Sequence, residues 1–296
     1  MEHNESSRKD WYDRYYKLLL VIPVIILLIS LAYLGYFYNK TGDIIIKDTS
    51  LSGGTTITLS GDVDSAKLEL ELKQKFSDVG IRKLTDIRSG KAISILVESS
   101  ATPDEIKPEI EKILGYKLDE TNSSTEFTGP SLSSSFYKQL IMALIISFIL
   151  MSFVIFVLFR TFTPSIAVIF AAFGDIVMPL AIINFMGVKL SAAGIAAFLM
   201  LIGYSVDTDI LLTTRALKKK EGKLNTRIYG AFKTGILMTG TALFAVLPAF
   251  FIVSGLPDSF RQIFFILAIG LFADIINTWL TNASIIKWYC VSRRIE

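Results

Sequence analysis

Apolar positions along the chain gather into six long blocks, at residues 18–37, 136–159, 164–186, 190–212, 230–253 and 263–286. Each holds about 20 residues or more, enough at about 1.5 Å rise per residue to cross the hydrocarbon core of a bilayer as a helix. The pattern changes between the first two blocks. Residues 44–46 and 55–59 cluster or alternate as strands around Gly53-Gly54, and 64–78 repeats Leu68, Leu72 and Phe76 at helical spacing behind an Asp or Ser cap. Residues 81–87 and 92–97 form a hairpin across 88–91, Pro103–Leu114 a second helix ending at Gly115, and 124–128 a last strand. That order, β-α-β-β-α-β, is the ferredoxin-like split unit. The expected fold is an α-helical membrane protein of six transmembrane helices with an α+β domain inserted between helices 1 and 2.

Composition agrees. Hydrophobic residues make up 52% of the 296, with a mean hydropathy of +0.52, too apolar for a soluble domain. Residues 39–135 carry 12 Lys/Arg against 16 Asp/Glu, whereas the remainder carries 18 against 11. The basic excess therefore belongs to the membrane part and its flanks, and reads as topology rather than nucleic-acid binding. Arg8, Lys9, Arg14 and Lys17, then Arg160, then Arg215, Lys218, Lys219, Lys220, Lys223 and Arg227, then Lys287, Arg293 and Arg294 all fall on one side. By the positive-inside rule that side is cytoplasmic. The expected layout is a cytoplasmic tail at 1–17, a first helix at 18–38 acting as an uncleaved anchor, an external domain at 39–135, five helices within 136–286 and a cytoplasmic tail at 287–296. His3 is the only histidine and Cys290 the only cysteine, which excludes histidine catalysis, histidine metal sites and an internal disulfide. No phosphate-binding loop, metal-ligand spacing or nucleophile–base pair is present, so neither a cofactor nor an enzyme activity is implied.

Charge at membrane depth is the chemical signal. Asp175 lies in the third block, Asp207 and Asp209 late in the fourth, Lys233 early in the fifth and Asp274 in the sixth. An acid at a helix centre costs about 2.5–3.5 kcal/mol, so each needs a compensating role. These five are the candidate ion-coupling residues, with Tyr204, Ser205, Thr208, Thr234 and Thr241 as supporting polar groups. Lys233 is expected near the same end as Asp207 and Asp209, placed to pair with them from the next helix. Residues two apart on a helix point about 200° from each other. Asp207 therefore shares a face with Gly203 and Leu211, and Asp209 one with Ser205 and Thr213. Competing readings are wetted interface acids, a snorkelling Lys233, interhelical hydrogen bonds and ordinary small-residue packing. Gly174-Asp175 with Tyr204 and Asp207 also faintly resembles intramembrane aspartyl proteases. Ala172 stands where their G-x-G-D motif has its first glycine, and Tyr204 and Asp207 are not contiguous.

Three stretches carry a stronger resemblance over essentially the whole chain. Ser50-Leu51-Ser52-Gly53-Gly54-Thr55 is similar to a D-F-x-G-G-T element after the first span. Thr128-Gly129-Pro130-Ser131-Leu132-Ser133 is similar to V-G-P-x-V-S before the second, and residues 203–209, GYSVDTD, to G-Y-S-x-N-D in the fourth. In this order they resemble the SecF family, the smaller membrane partners of SecD in an accessory complex of the Sec protein-export channel, in its archaeal form. The resemblance implies the resistance–nodulation–division superfamily fold, and SecD, the Sec channel, unfolded preprotein and membrane lipid as partners. It also implies a role in pulling or releasing preproteins outside the membrane. In bacterial members that role is coupled to proton flow through fourth-span acids and a fifth-span base. The family aspartate aligns with Thr208, its preceding asparagine with Asp207, and the fifth-span arginine with Lys233, so the carboxylate is displaced by one residue, about 100° around the helix. The expected function is an accessory subunit of protein export driven by the proton gradient. The alternatives are a half-size exporter of small molecules or lipids, or a non-coupling assembly factor.

Overall fold

A computed structural model describes residues 3–61, 63–76, 78–85, 92–218, 222–252 and 258–295. The hairpin turn expected at 88–91 and the loop cations Lys219 and Lys220 lie outside the described residues. Six described helices are long and apolar enough to cross a membrane. α1 (His3–Thr41) leads to a short α2 (Thr49–Ser52). β1 (Gly54–Ser60), α3 (Ser65–Lys73), β2 (Gly80–Thr85), β3 (Ala92–Ser99), α4 (Pro103–Leu114) and β4 (Ser123–Thr128) follow. The chain then returns through α5 (Pro130–Phe159), α6 (Phe162–Phe185), α7 (Ala192–Lys218) and α8 (Leu224–Ile252). The last span is α9 (Asp258–Ile276), a π-helical stretch (Asn277–Asn282) and α10 (Ala283–Ser292), run together.

The small domain has the expected order and an antiparallel sheet β2-β3-β1-β4, the ferredoxin-like arrangement in which each crossover skips one strand. Alternation in the strands and the i, i+4 spacing of the helices bring Ile57, Leu59, Ile95 and Val97 against Leu68, Leu72, Ile106 and Ile110, all buried. Residues 44–46 do not join the sheet. β1, the strand nearest them in sequence, is already flanked by β3 and β4, and Lys47 instead bridges to Leu190 at the end of the bundle. The helix expected over 64–78 stops at Lys73; Asp64 caps its start by accepting from Ala66 and Lys67, and Asp78 turns to the end of β3.

The domain is rooted firmly. Leu190 donates to Ile46 O at 2.6 Å, and Asp48 donates to Leu190 O at 3.1 Å. Two signature stretches meet there. Gly53 has φ +86°, and a Cβ on it would lie 2.5 Å from the Pro130 Cα, so the turn into β1 closes on the first turn of α5 only because that position is glycine. In the bundle, the spans of α6, α7 and α9–α10 are 61, 56 and 50% buried over their apolar windows. Those of α1, α5 and α8 are 17, 6 and 17% buried, which makes the first three the centre.

Two expectations about the basic end change. α1 runs unbroken through the segment expected as a tail, and Lys287 is no tail residue. It is 1% exposed within α10, 2.5 Å from Asp13 and 3.8 Å from the Tyr12 ring centroid. Asn225 donates to both Asp13 oxygens at 3.0 and 2.9 Å, which ties α1, α8 and α10 together. Arg227 is also buried, donating to Ala216 O at 3.0 Å.

Candidate ion-coupling site

Three of the five charged candidates meet at the centre of the bundle. Asp175 on α6, Asp209 on α7 and Asp274 on α9 are 1, 0 and 0% exposed, and no lysine or arginine pairs with them among the described residues. Hydroxyl and amide groups surround them instead. Asp175 accepts from Asn277 Nδ2 at 2.7 Å on one oxygen and from Ser205 Oγ on the other. Asp209 Oδ1 accepts from Asn282 Nδ2 at 2.8 Å and from Thr278 Oγ1 at 3.0 Å. Asp274 accepts from Thr208 at 3.0 Å and Thr239 at 3.2 Å, and its Oδ1 lies 3.1 Å from the same Thr278 Oγ1. Asp209 Oδ2 and Asn282 Oδ1 are buried without a partner. In an apolar interior an unmade bond costs about 1–3 kcal/mol, so these two oxygens are the site's unfilled capacity.

Backbone geometry explains how one helix serves two acids on others. From Asn277 to Asn282 the last span is π-helical, which widens the turn and presents Asn277, Thr278 and Asn282 to α6 and α7 together. Gly174 permits the approach: a Cβ there would meet the Asn277 amide at 2.7 Å. Asp274, Asn277, Thr278, Thr281 and Asn282 recur at i, i+3, i+4, i+7 and i+8 inside an apolar run. That stripe is the available signal for Asn277, Thr278 and Asn282, the three last-span residues the candidate set lacks; Thr239 of the fifth span is missing from it too.

The other two charged candidates are elsewhere. Asp207 is exposed on the face of α7 that also exposes Gly203 and Tyr204, the far side from Asp209 as the 200° offset requires. Lys233 is exposed on α8, and no ion pair joins it to Asp207 or Asp209. The cause is height. Its neighbour Thr234 accepts from Arg215 Nη1 at 2.9 Å, and Arg215 lies eight residues, about 12 Å, along α7 from Asp207. Thr241 is exposed and donates to its own helix at Met238 O, so Thr239 is the fifth-span hydroxyl that reaches the acids. Gly53, Gly54, Gly129 and Pro130 sit at the domain root, away from this cluster. No group of described residues is arranged to hold a metal ion.

Comparison with known proteins bears on this arrangement. A family model described as "Protein export membrane protein SecD/SecF, C-terminal" matches residues 110–292. Curated proteins named "Protein-export membrane protein SecF" are similar along most of their length. The one from Methanolacinia petrolearia is 38% identical over 92% of this chain and 93% of its own. The one from Methanocaldococcus jannaschii is 35% identical over 95 and 98%. The fold matches the crystal structure of SecDF, a translocon-associated membrane protein from Thermus thermophilus, with a TM-score of 0.72 at 17% identity. That match covers 93% of this chain and 38% of the SecDF chain, so the chain spans well under half the length of that structure. With curated relatives matched nearly end to end, the chain belongs to the SecF family of protein-export membrane proteins.

Proposed function

We propose that the chain is the SecF-type subunit of a SecD-partnered complex that assists preprotein translocation through the Sec channel, driven by the proton gradient. Both termini would lie in the cytoplasm and residues 39–135 outside the cell membrane, with unfolded preprotein as the substrate of that domain. The observation that carries the coupling is the set of three buried carboxylates, Asp175, Asp209 and Asp274, without a paired cation. Three negative charges in an apolar interior are prohibitive, so protons must neutralise part of the set, and loading or release changes which hydrogen bonds the helices can make. Ser205, Thr208, Thr239, Asn277, Thr278 and Asn282 hold the acids and redistribute donors among them.

Asp207 and Lys233 take a different role in this reading. A charge facing lipid at depth costs about 2.5–3.5 kcal/mol, so the face of α7 bearing Tyr204 and Asp207 needs a polar cover, and Lys233 lies exposed on α8 toward the Arg215 end. SecD is the cover we assign, and the name SecDF of the matched crystal structure supports that reading. The test is preprotein export in cells carrying Asp175→Asn, Asp209→Asn, Asp274→Asn or Asp207→Asn, with SecD co-purification alongside. The first three should slow export with the complex intact, and Asp207→Asn should weaken co-purification. Normal export in the three buried variants sinks the coupling reading.

A further inference from the structure

A groove of about 500 Å³ lies where the small domain meets the bundle, between β2, the α6–α7 connection and the facing ends of α8 and α9. Four cations line it: Arg82, Lys83, Lys189 and Arg261. Two are held in place. Glu98, 5% exposed on β3, sits 3.4 Å from Arg82 and 3.6 Å from Lys189, and Gln262 donates to Lys189 O at 2.6 Å. Arg261 is fixed differently, its guanidinium 5.0 Å from the Phe250 ring centroid, while Phe250 stacks on Phe265 at 5.6 Å. Among the described residues Glu98 pairs with Arg82 and Lys189, while Lys83 and Arg261 bring two further positive charges to the same cavity without a described carboxylate. The same helix ends expose Phe185, Phe251, Ile252 and Phe260, at 76, 62, 75 and 53%. A cationic cup on an aromatic wall, continuous with a lipid-height apolar surface, matches an amphiphile with an anionic head.

The geometry points to a binding site for the phosphate headgroup of an anionic phospholipid in the leaflet beneath the small domain. In the orientation proposed above this is the outer leaflet, where the positive-inside bias disfavours basic residues near helix ends. Lys189 and Arg261 are set against that bias, and a bound phosphate is their compensation. An arginine fork and two lysines suit a phosphate by charge-assisted hydrogen bonds. The consequence is mechanical. A lipid held between β2 and the α8–α9 end would brace the small domain against the bundle at a second place beside the Gly53–Pro130 root.

The test uses the full chain in detergent, with native mass spectrometry of retained phosphatidylglycerol, phosphatidylcholine or a soluble acidic decapeptide. Each cation near a phosphate contributes about fivefold, so phosphatidylglycerol should be retained at least tenfold over phosphatidylcholine. Lys83→Gln with Arg261→Gln should lower that preference about 25-fold, while Lys67→Gln with Lys112→Gln, on the far helices, should leave it unchanged. Equal retention of the two lipids by the unaltered chain overturns the proposal whether or not the variants fold. Preferential retention of the decapeptide overturns it in favour of a polypeptide site. Export is not read in this experiment, so its failure leaves the coupling reading standing.

Discussion

Thr278 offers the sharpest test of the coupling site. Its Oγ1 lies 3.0 Å from Asp209 Oδ1 and 3.1 Å from Asp274 Oδ1. A hydroxyl has one hydrogen, so it donates to one carboxyl while the other contact is favourable only if that carboxyl carries a proton and donates to Thr278. The two arrangements interconvert when Asp274 passes its proton to Thr278 as Thr278 passes its own to Asp209, a balanced exchange across one oxygen. Thr278→Val keeps the shape and removes the bridge. Asp209 Oδ1 keeps Asn282 and Asp274 Oδ1 keeps Thr208, so neither carboxyl is stripped bare. The loss should therefore stay within the 1–3 kcal/mol of one unmade buried bond, which applied to the passage of the proton is about 5- to 150-fold in rate. The assay is proton uptake by proteoliposomes holding the chain with SecD, beside preprotein export in cells. Thr278→Ser retains the hydroxyl and loses about one methyl, near 1 kcal/mol of packing, and should keep most of the flux. Full flux in a folded Thr278→Val, or equal losses in both variants, refutes the bridge.

Other outcomes follow from single contacts. Gly174→Ala drives a methyl into the Asn277 amide and should cost about 1–3 kcal/mol in thermal unfolding, with export falling as Asn277 leaves Asp175. Asp13→Ala leaves the buried Lys287 ammonium without its carboxylate and should lower the unfolding midpoint more than Lys287→Met, which removes the charge and keeps the hydrocarbon. Burial raises the Asp78 carboxyl, but bonds from Ser100 and Ser99 outweigh it and hold it below its usual 3.8. A depressed folded value means the contribution is full above the unfolded value near 3.9 and is lost as pH falls below it. Protection of the amides at the end of β3, taken relative to their intrinsic exchange rates, should therefore fall as pH drops below about 4 in the native chain, and Asp78→Asn should remove that step.

Much of this was legible in the chain. Block length alone gives six spans, and period-two and period-3.6 patterns place the small domain's strands and helices, because burial there depends on one face at a time. The alignment of helices with each other is a different kind of information. Asp207 and Lys233 share an end in sequence, yet α8 sets Thr234 at the height of Arg215, and nothing in a one-dimensional pattern encodes that offset. Residues 44–46 look like a strand because strand propensity ignores whether an edge is free, and here both sides of β1 were taken. Lys287 looks like a tail cation because a pattern cannot anticipate Asp13 and two tyrosines reaching it from α1.

The same limit shows why the fourth span carries two acids. In the proposed complex with SecD, α7 has two neighbours to satisfy, its own bundle and the partner. Asp209, with Ser205 and Thr213, is committed inward, where Asn282 donates to it and approaches Thr213 at 3.3 Å. Asp207, with Gly203 and Tyr204, is committed outward. Two acids two residues apart thus serve separate electrostatic problems, and exchanging their roles would need a 200° turn of α7. Combining Asp207→Asn with Asp209→Asn should accordingly give additive losses, one in SecD retention and one in proton flux. Strong coupling between the two would place them in a single network and remove this division.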